Sequence, residues 1–297
     1  MPKGIALKTQ KIIDAAYVVL QEIQPASVRA VCYKLFTLGV IPDMSKASTQ
    51  KVSRALVLAR EDGIIPWAWI VDETREVEQR SSWSDLGSFA NTVRRAYRKD
   101  YWREQPYHVE LWSEKGTVRG TLAEILDEFG IPFRVMHGFS SATVANSIAE
   151  YDARIEKPFV ALYVGDFDPS GLHMSEVDLP GRLARYGGAI YVMRIALTVD
   201  DVTHGNLPYF ESSSKISDPR HKWYIREYGA LARGRCWELD AMSPVDLRER
   251  VRRQILTYID ADAWSRCLEI ESAEFEALDA YADGLAKAGF GEVRNAR

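Results

Sequence analysis

Residues 159–172 read FVALYVGDFDPSGL, and this stretch decides the fold class of the chain. The apolar run over 159–165 is typical of a strand that is buried on both faces of a parallel sheet. An acidic turn with Pro and Ser follows, and the apolar spacing after it predicts a helix over 172–186. A buried strand, a tight turn and a helix together form the unit from which α/β sheets are built.

The same alternation continues on both sides of this unit. Strands are predicted over 107–113, 133–136 and 189–196, with helices over 118–129 and 142–155. Alternation of this kind indicates a mostly parallel sheet that is covered by helices. The sequence therefore predicts an α/β fold for this part of the chain.

The N-terminal part has a helical pattern instead. One helix is predicted over 8–23, a second begins after an N-cap at Ser27, and a third covers 48–62. A β-prone hairpin over 64–71 follows the third helix. This order, three helices and then a hairpin with basic residues on the third helix, is typical of a winged helix-turn-helix. The alternative is a generic helical domain with a solvated basic face.

The division of charge agrees with two domains. The 297 residues carry a net charge of −4, but residues 1–110 hold 16 basic and 13 acidic residues, whereas residues 111–297 hold 22 and 29. A polar stretch over 72–85 is predicted as a linker, with a helix over 89–101 after it. We therefore expect a helical domain over 1–105 and an α/β domain with a C-terminal helical extension over 106–297.

Composition excludes several classes of protein. No apolar stretch approaches the roughly 20 residues that span a bilayer, and no signal-peptide pattern opens the sequence, so we expect a cytoplasmic protein without a membrane partner. Cys32, Cys236 and Cys267 form no CxxC pair, so neither a disulfide framework nor a structural zinc site is indicated. The P-loop pattern and other ATPase motifs are missing, and no ATP site is predicted in this chain.

Carboxylates follow two of the predicted strands. Glu114 comes directly after the strand over 107–113, and Asp166 and Asp168 come directly after the strand over 159–165. Functional groups gather at the carboxyl ends of parallel strands, and residues two apart on an extended chain lie about 6.5–7 Å apart on one side. Grouped carboxylates suit Mg²⁺. A helix-capping turn is the alternative for the two Asp, but a Glu at the neighbouring strand end favours the metal site.

The acidic motifs resemble those of a known domain. Glu114-Lys115-Gly116 and the stretch DFDPSG over 166–171 resemble the Toprim domain of topoisomerases, primases and related nucleases. The pair Arg29 and Tyr33 has the spacing found in the winged-helix domain of the topoisomerase VI A subunit and the meiotic double-strand-break transesterase. The stretch WELDA over 237–241 resembles the late acidic motif of that family.

This resemblance implies a winged helix followed by a Toprim domain, and a DNA-cleaving activity. Tyr33 would be the nucleophile and Arg29 its partner; the two share a helix face at a spacing of four residues. The alternative is that Tyr33 only packs in the helical core. Glu114 would act as acid and base, and Mg²⁺, or Mn²⁺, would be held by a set of carboxylates that comprises Glu114, Asp166, Asp168 and Glu238.

The family also implies partners. These are double-stranded DNA, a second copy of the chain in a homodimer and a separate GHKL-type ATPase B subunit, with the protein associated with the nucleoid. Basic side chains are predicted to contact DNA, namely Lys51, Arg54, Arg60, Lys115, Lys215 and Arg220. Two alternatives remain: a Toprim nuclease in which water is the nucleophile, and a catalytically silent DNA-binding assembly protein.

Overall fold

The computed structural model describes residues 6–71, 82–136 and 142–287. The chain divides into two compact units. One, which we call the sheet unit, contains residues 1–75 and 107–257; the other, the helical unit, contains residues 76–106 and 258–297. The sheet unit thus joins the N-terminal helices and the strands in one body, and the predicted division into domains at residue 105 stays a prediction.

The helices and strands alternate through most of the described chain. In chain order they are α1 (Leu7–Ile23), β1 (Ala26–Ser27), α2 (Val28–Thr37), α3 (Lys46–Glu61), β2 (Ile70–Val71), α4 (Leu86–Ala96), β3 (His108–Ser113), α5 (Val118–Phe129), β4 (Phe133–Val135), α6 (Ala142–Asp152), β5 (Phe159–Val164), α7 (Pro169–His173), α8 (Leu179–Arg185), β6 (Tyr191–Ala196), α9 (Val199–His204), β7 (Phe210–Glu211), α10 (His221–Ala232), β8 (Arg235–Cys236), α11 (Pro244–Leu256) and α12 (Ala261–Lys287).

A parallel four-stranded sheet forms the centre of the sheet unit. Its strand order is β4-β3-β5-β6, and all three pairings are parallel. All six residues of β5 are buried, as are five of the six in β3, because helices and neighbouring strands cover both. The predicted α/β class with a mostly parallel sheet is confirmed.

Helices α1, α2 and α3 pack around a shared apolar core. Ile13, Leu20, Leu35 and Leu56 from the three helices are fully buried in one cluster. The Ser27 hydroxyl accepts a hydrogen bond of 3.2 Å from the Ala30 N–H, so Ser27 caps α2 as its side chain type predicts. This cap fixes where α2 begins.

The prediction of a hairpin over 64–71 is wrong. Residues Trp67–Trp69 form a 3₁₀ turn, and the two residues of β2 pair in parallel with β1 instead of folding back on their own segment. Pro66 precedes the turn, where its fixed φ and missing N–H favour a turn over a ladder. The predicted linker over 72–85 lies for the most part outside the described residues.

The helix predicted over 172–186 is divided into three segments. Helix α7 begins earlier, at Pro169, a π-helical turn covers Met174–Asp178, and α8 follows. Pro180 lies in the first turn of α8, where its missing N–H cannot continue the preceding ladder. Within the described ranges, no helix is both long and apolar enough to cross a membrane.

The helical unit contains α4, α12 and the segment between residues 97 and 105. The helix predicted over 89–101 begins and ends earlier, because Asp85 accepts a hydrogen bond of 2.7 Å from the Ser88 N–H and caps α4. The 97–105 segment lies along α12: the Lys99 Nζ is 2.8 Å from Glu274, and the Tyr101 ring lies 4.7 Å from that of Trp264.

Candidate functional site

The ends of β3 and β5 bring three carboxylates to one edge of the sheet. Ser113 is aligned with Val164, so Glu114 leaves its strand beside the segment that leads to Asp166 and Asp168. The structure therefore gathers these three side chains where the strand pattern predicted them. Their mutual electrostatic influence, described below, agrees with this proximity.

The turn over residues 165–168, which follows β5, is held in place by backbone and side-chain hydrogen bonds. The fully buried Phe167 exchanges backbone hydrogen bonds of 2.8 and 3.0 Å with Trp237. A Cβ at Gly171 would lie 2.4 Å from the Asp166 carbonyl oxygen, so only glycine permits this close approach. Arg194 donates to the carbonyl oxygens of Asp166 at 3.1 Å and Gly171 at 2.6 Å. Sequence reasoning missed Arg194, because an Arg within a strand carries no local signal of this role.

Asp168 has a structural role as well as a place in the cluster. One of its carboxylate oxygens accepts a hydrogen bond of 2.8 Å from the Gly171 N–H and caps α7. The capping alternative therefore applies to Asp168. Its other oxygen lies 3.0 Å from the Lys215 Nζ, so this Lys, predicted to contact DNA, lies beside a carboxylate.

A second pair of acids joins the cluster from a distant part of the chain. The pairing of Trp237 with Phe167 brings residues 238–240 beside the turn, and the Leu239 N–H donates to Asp166 at 2.7 Å. Glu238 was predicted here, but Asp240 was missed. The signal was present, since Glu238-Leu239-Asp240 repeats the acid-x-acid spacing of residues 166–168.

Lys115 lies inside this cluster of acids. Its Nζ is 2.8 Å from Asp166, 3.1 Å from Asp240 and 4.0 Å from Glu238, and its side chain is 23% exposed. Burial by itself would lower the pKa of Lys115, but these carboxylates raise it above the ordinary value. Lys115, predicted as a DNA contact, is therefore a charged partner of the acidic residues.

Helix α2 presents its polar residues to the same acids. Arg29 forms an ion pair with Glu238, its Nε lies 3.6 Å from Asp240, and the Ser27 hydroxyl donates to Asp240 at 3.3 Å. Burial would lower the pKa of Arg29, but the hydrogen bond and charge of Glu238 raise it. The N-terminal end of α2 is thus tied to the 238–240 segment.

Tyr33 lies one helical turn beyond Arg29, as the spacing predicted. The Arg29 guanidinium is 5.8 Å from the centre of the Tyr33 ring, and Tyr33 is 6% exposed. Burial, and then the charge of Glu238, raise the pKa of Tyr33 above its ordinary value, although Arg29 acts in the opposite direction. In this arrangement the phenol is therefore protonated at neutral pH.

Glu114 has the most perturbed carboxyl group of the cluster. Burial raises the pKa of Glu114, the charges of Asp166 and Asp168 add to this effect, and the pKa is about 7 in spite of Lys115 and Arg194. Neither oxygen of Glu114 accepts a hydrogen bond within the part of the chain that the structure describes. A carboxyl group of this kind is half protonated at neutral pH and can exchange a proton.

The remaining predicted DNA contacts are Lys51, Arg54, Arg60 and Arg220. Lys51 and Arg54 are exposed on α3. The Arg60 guanidinium stacks over the Trp67 ring at 4.8 Å, and Arg220 pairs with Asp218 at 2.6 Å. Their roles on DNA stay predictions.

The donor chemistry of the cluster fits a hard divalent cation. Glu114 and one oxygen of Asp166 accept no hydrogen bond from described residues, and carboxylate oxygens are the ligands that Mg²⁺ prefers. Among the same residues, however, no group of three or more His, Cys, Asp and Glu side chains is arranged to hold a metal ion. Both oxygens of Asp168 are engaged, one by the Gly171 N–H and the other by Lys215, so a cation that also used Asp168 would displace the Lys215 ammonium group.

No protein-family model and no curated protein matches this chain.

Proposed function

We propose that this protein is a metal-dependent DNA-cleaving enzyme of the topoisomerase VI A type, with a winged helix before a Toprim domain. One observation carries the proposal. Helix α2, with Arg29 and Tyr33, contacts the acidic segment 238–240, which is itself bonded to Asp166 at the end of β5. One body thus groups a phenol, a guanidinium and strand-end carboxylates, the groups that a tyrosine-linked phosphoryl transfer needs.

In the reaction, the Tyr33 oxygen would attack a backbone phosphorus while the phenolic proton passes to solvent. The bond from phosphorus to the 3′-oxygen breaks, which leaves a 5′-phosphotyrosyl link and a free 3′-hydroxyl. Glu114 would give the leaving 3′-oxygen its proton and take it back on rejoining. Without metal its pKa is about 7, so both protonation states are populated at neutral pH, and a cation held beside Glu114 would favour its charged form.

Arg29 would have to change partners for Tyr33 to react. Its guanidinium is now bound to Glu238, and burial and Glu238 hold the pKa of Tyr33 high. A DNA phosphate that replaced Glu238 would keep the guanidinium beside the ring and move the carboxylate from the phenol. Removal of the Glu238 charge would lower the pKa of Tyr33, and the guanidinium would offset the charge of the phosphate.

Glu114, Asp166, Asp168 and Glu238 are the residues that would hold Mg²⁺ or Mn²⁺. The bound ion would supply positive charge to the phosphate oxygens. Lys115, released from Asp166, would remain within reach of Asp240. We also propose that the substrate is duplex DNA, that two copies act together with one cut in each strand, and that a separate GHKL-type ATPase subunit drives strand passage.

Cleavage of supercoiled plasmid tests the proposal. With Mg²⁺, the wild-type protein should give a 5′-blocked product that becomes mobile only after protease treatment. Tyr33→Phe should abolish the covalent product, whereas Tyr17→Phe, on α1, should retain it. Asp166→Asn should abolish cleavage, whereas Asp127→Asn, an exposed change on α5, should not.

The burial of Tyr33 favours a second candidate, a hydrolytic nuclease with the same metal site. A 6% exposed phenol with a raised pKa is a poor nucleophile as it stands, and water would replace it. Cleavage that persists in Tyr33→Phe but not in Asp166→Asn would support this candidate. DNA binding without cleavage in Mg²⁺ or Mn²⁺, unchanged by Glu114→Gln, would contradict both enzymes and support a silent DNA-binding protein.

A further inference from the structure

The helical unit contains a cavity of about 560 Å³ that belongs to no part of the site described above. It lies between the 97–104 segment and α12. Its volume is within the range of pockets that hold small ligands. Its lining includes Tyr97, Arg98, Lys99, Arg266, Cys267 and Ile270.

The charge of the lining favours an anion. Four of its residues are basic and two are acidic. Lys99 is held by Glu274, which does not line the cavity, and Arg98 stacks over the Tyr101 ring at 5.6 Å. Arg266 is exposed and forms no ion pair with any residue that the structure describes. Guanidinium groups present flat pairs of donors that match the oxygens of a phosphate.

The floor of the cavity is apolar. Ala263 and Cys267 are buried on α12, and Ile270, one turn further along, is 48% exposed. Tyr97 adds an aromatic ring, which packs at 5.5 Å against Phe275. An inorganic anion would leave this apolar surface unused, whereas a ligand with a flat ring would cover it.

We propose that this cavity binds a nucleotide unit, with its phosphate at Arg98 and Arg266 and its base against Ile270. The ligand is either a free mononucleotide or one unit of a nucleic acid strand, because the two share this chemistry. The proposal goes beyond the proposed cleavage activity, since none of these residues belongs to the carboxylate site. It holds or fails whether or not Tyr33 is a nucleophile.

Titration calorimetry on the full chain tests the proposal, with AMP, inorganic phosphate and a single-stranded oligonucleotide of eight thymidines as separate probes and without divalent metal. Saturable binding of AMP or of the oligonucleotide is expected, with phosphate at least tenfold weaker. Arg266→Gln should weaken binding about tenfold, because it removes one charged donor. Arg95→Gln is the matched control, since Arg95 is an exposed Arg of the same unit that does not line the cavity.

A second variant tests the apolar floor. Ile270→Glu should weaken binding at least tenfold without loss of folding, because Ile270 is half exposed and the new carboxylate opposes the phosphate. Binding of AMP identifies the free nucleotide as the source, and binding of the oligonucleotide alone identifies a strand. Three results would overturn the proposal: no saturable binding of either probe, equal affinity for inorganic phosphate, or equal losses in Arg95→Gln and Arg266→Gln.

Discussion

Strand β3 carries one glutamate in its interior, and a second follows it at the end. Glu110 is 2% exposed and accepts hydrogen bonds from Arg134, with both distances at 2.8 Å, and from the Trp112 indole at 2.7 Å; His108 lies 3.4 Å away. Glu114 accepts none from the described residues and lies beside two further carboxylates. Glu110 and Glu114 are only four positions apart, but one is surrounded by hydrogen-bond donors and the other by carboxylates.

The pKa values of the two glutamates differ accordingly. Burial acts to raise both, but the donors around Glu110 more than offset it and lower its pKa to about 2, whereas Asp166 and Asp168 help to raise the pKa of Glu114 to about 7. Burial alone thus does not distinguish a structural carboxylate from one suited to chemistry. The number of donors and the sign of the neighbouring charges do.

Removing the charge of Glu110 should give the largest loss of stability. We expect Glu110→Gln to lower the free energy of unfolding by about 4 kcal/mol, because it leaves the Arg134 guanidinium without its carboxylate in a mostly buried place. Urea unfolding followed by circular dichroism measures this. Glu156→Gln, at an exposed position, should stay within about 0.5 kcal/mol of wild type. A loss below 1 kcal/mol in Glu110→Gln would show that its bonds contribute little.

Acid should weaken the protein through the same group. The folded-state pKa of Glu110 is about 2 against an ordinary value of 4.5, so its stabilisation is complete above pH 4.5 and is lost as the pH falls from 4.5 towards 2. The full loss, reached near pH 2, is roughly 3 kcal/mol, of which about 2 kcal/mol is lost by pH 3. Unfolding free energies at pH 7, 5 and 3 measure it. In Glu110→Gln the decline over this window should be smaller; parallel curves for the two proteins would contradict the assignment.

Glu114 should behave in the opposite way to Glu110. Under the proposed function, Glu114→Gln should slow DNA cleavage about 100-fold, or about 2.7 kcal/mol, because the proton donor is lost. The free energy of unfolding should not fall, since the change removes a charge that Asp166 and Asp168 repel. Initial cleavage rates and urea unfolding on the same preparation measure both, with Glu156→Gln as control. If Glu114→Gln lost as much stability as Glu110→Gln, the proposed difference between the two glutamates would be wrong.

The sequence predicts well what depends on local pattern. The apolar run of β5, the cap at Ser27 and helix α5 over 118–129 each follow from spacing or side chain type, and the structure has them at those positions. Glu114 and Asp166 could be placed at one sheet edge because parallel strands share a direction.

The rest depends on contacts between distant segments. Strand β2 pairs with β1, which is more than 40 residues earlier in the sequence. The local pattern of residues 64–71 therefore could not identify the strand with which this segment pairs. Asp240 reaches the site only because Trp237 pairs with Phe167. The opposite states of Glu110 and Glu114 likewise depend on Arg134 and Asp166, which lie on other strands or beyond their ends.

The smallest expected effect on stability comes from the removal of a single hydrogen-bond donor to Glu110. Trp112→Phe removes the indole N–H at 2.7 Å from Glu110 and should lower the free energy of unfolding by about 1 kcal/mol through that bond. Because Trp112 is fully buried, the smaller ring also leaves a packing defect, so the loss at neutral pH does not separate the two causes. The pH dependence does, since a packing defect is the same at every pH, whereas a lost donor raises the pKa of Glu110 and moves its acid transition upward. A stability curve displaced by a constant amount from pH 7 to pH 3 would therefore mean that Arg134 and His108 alone hold this carboxylate in its charged form.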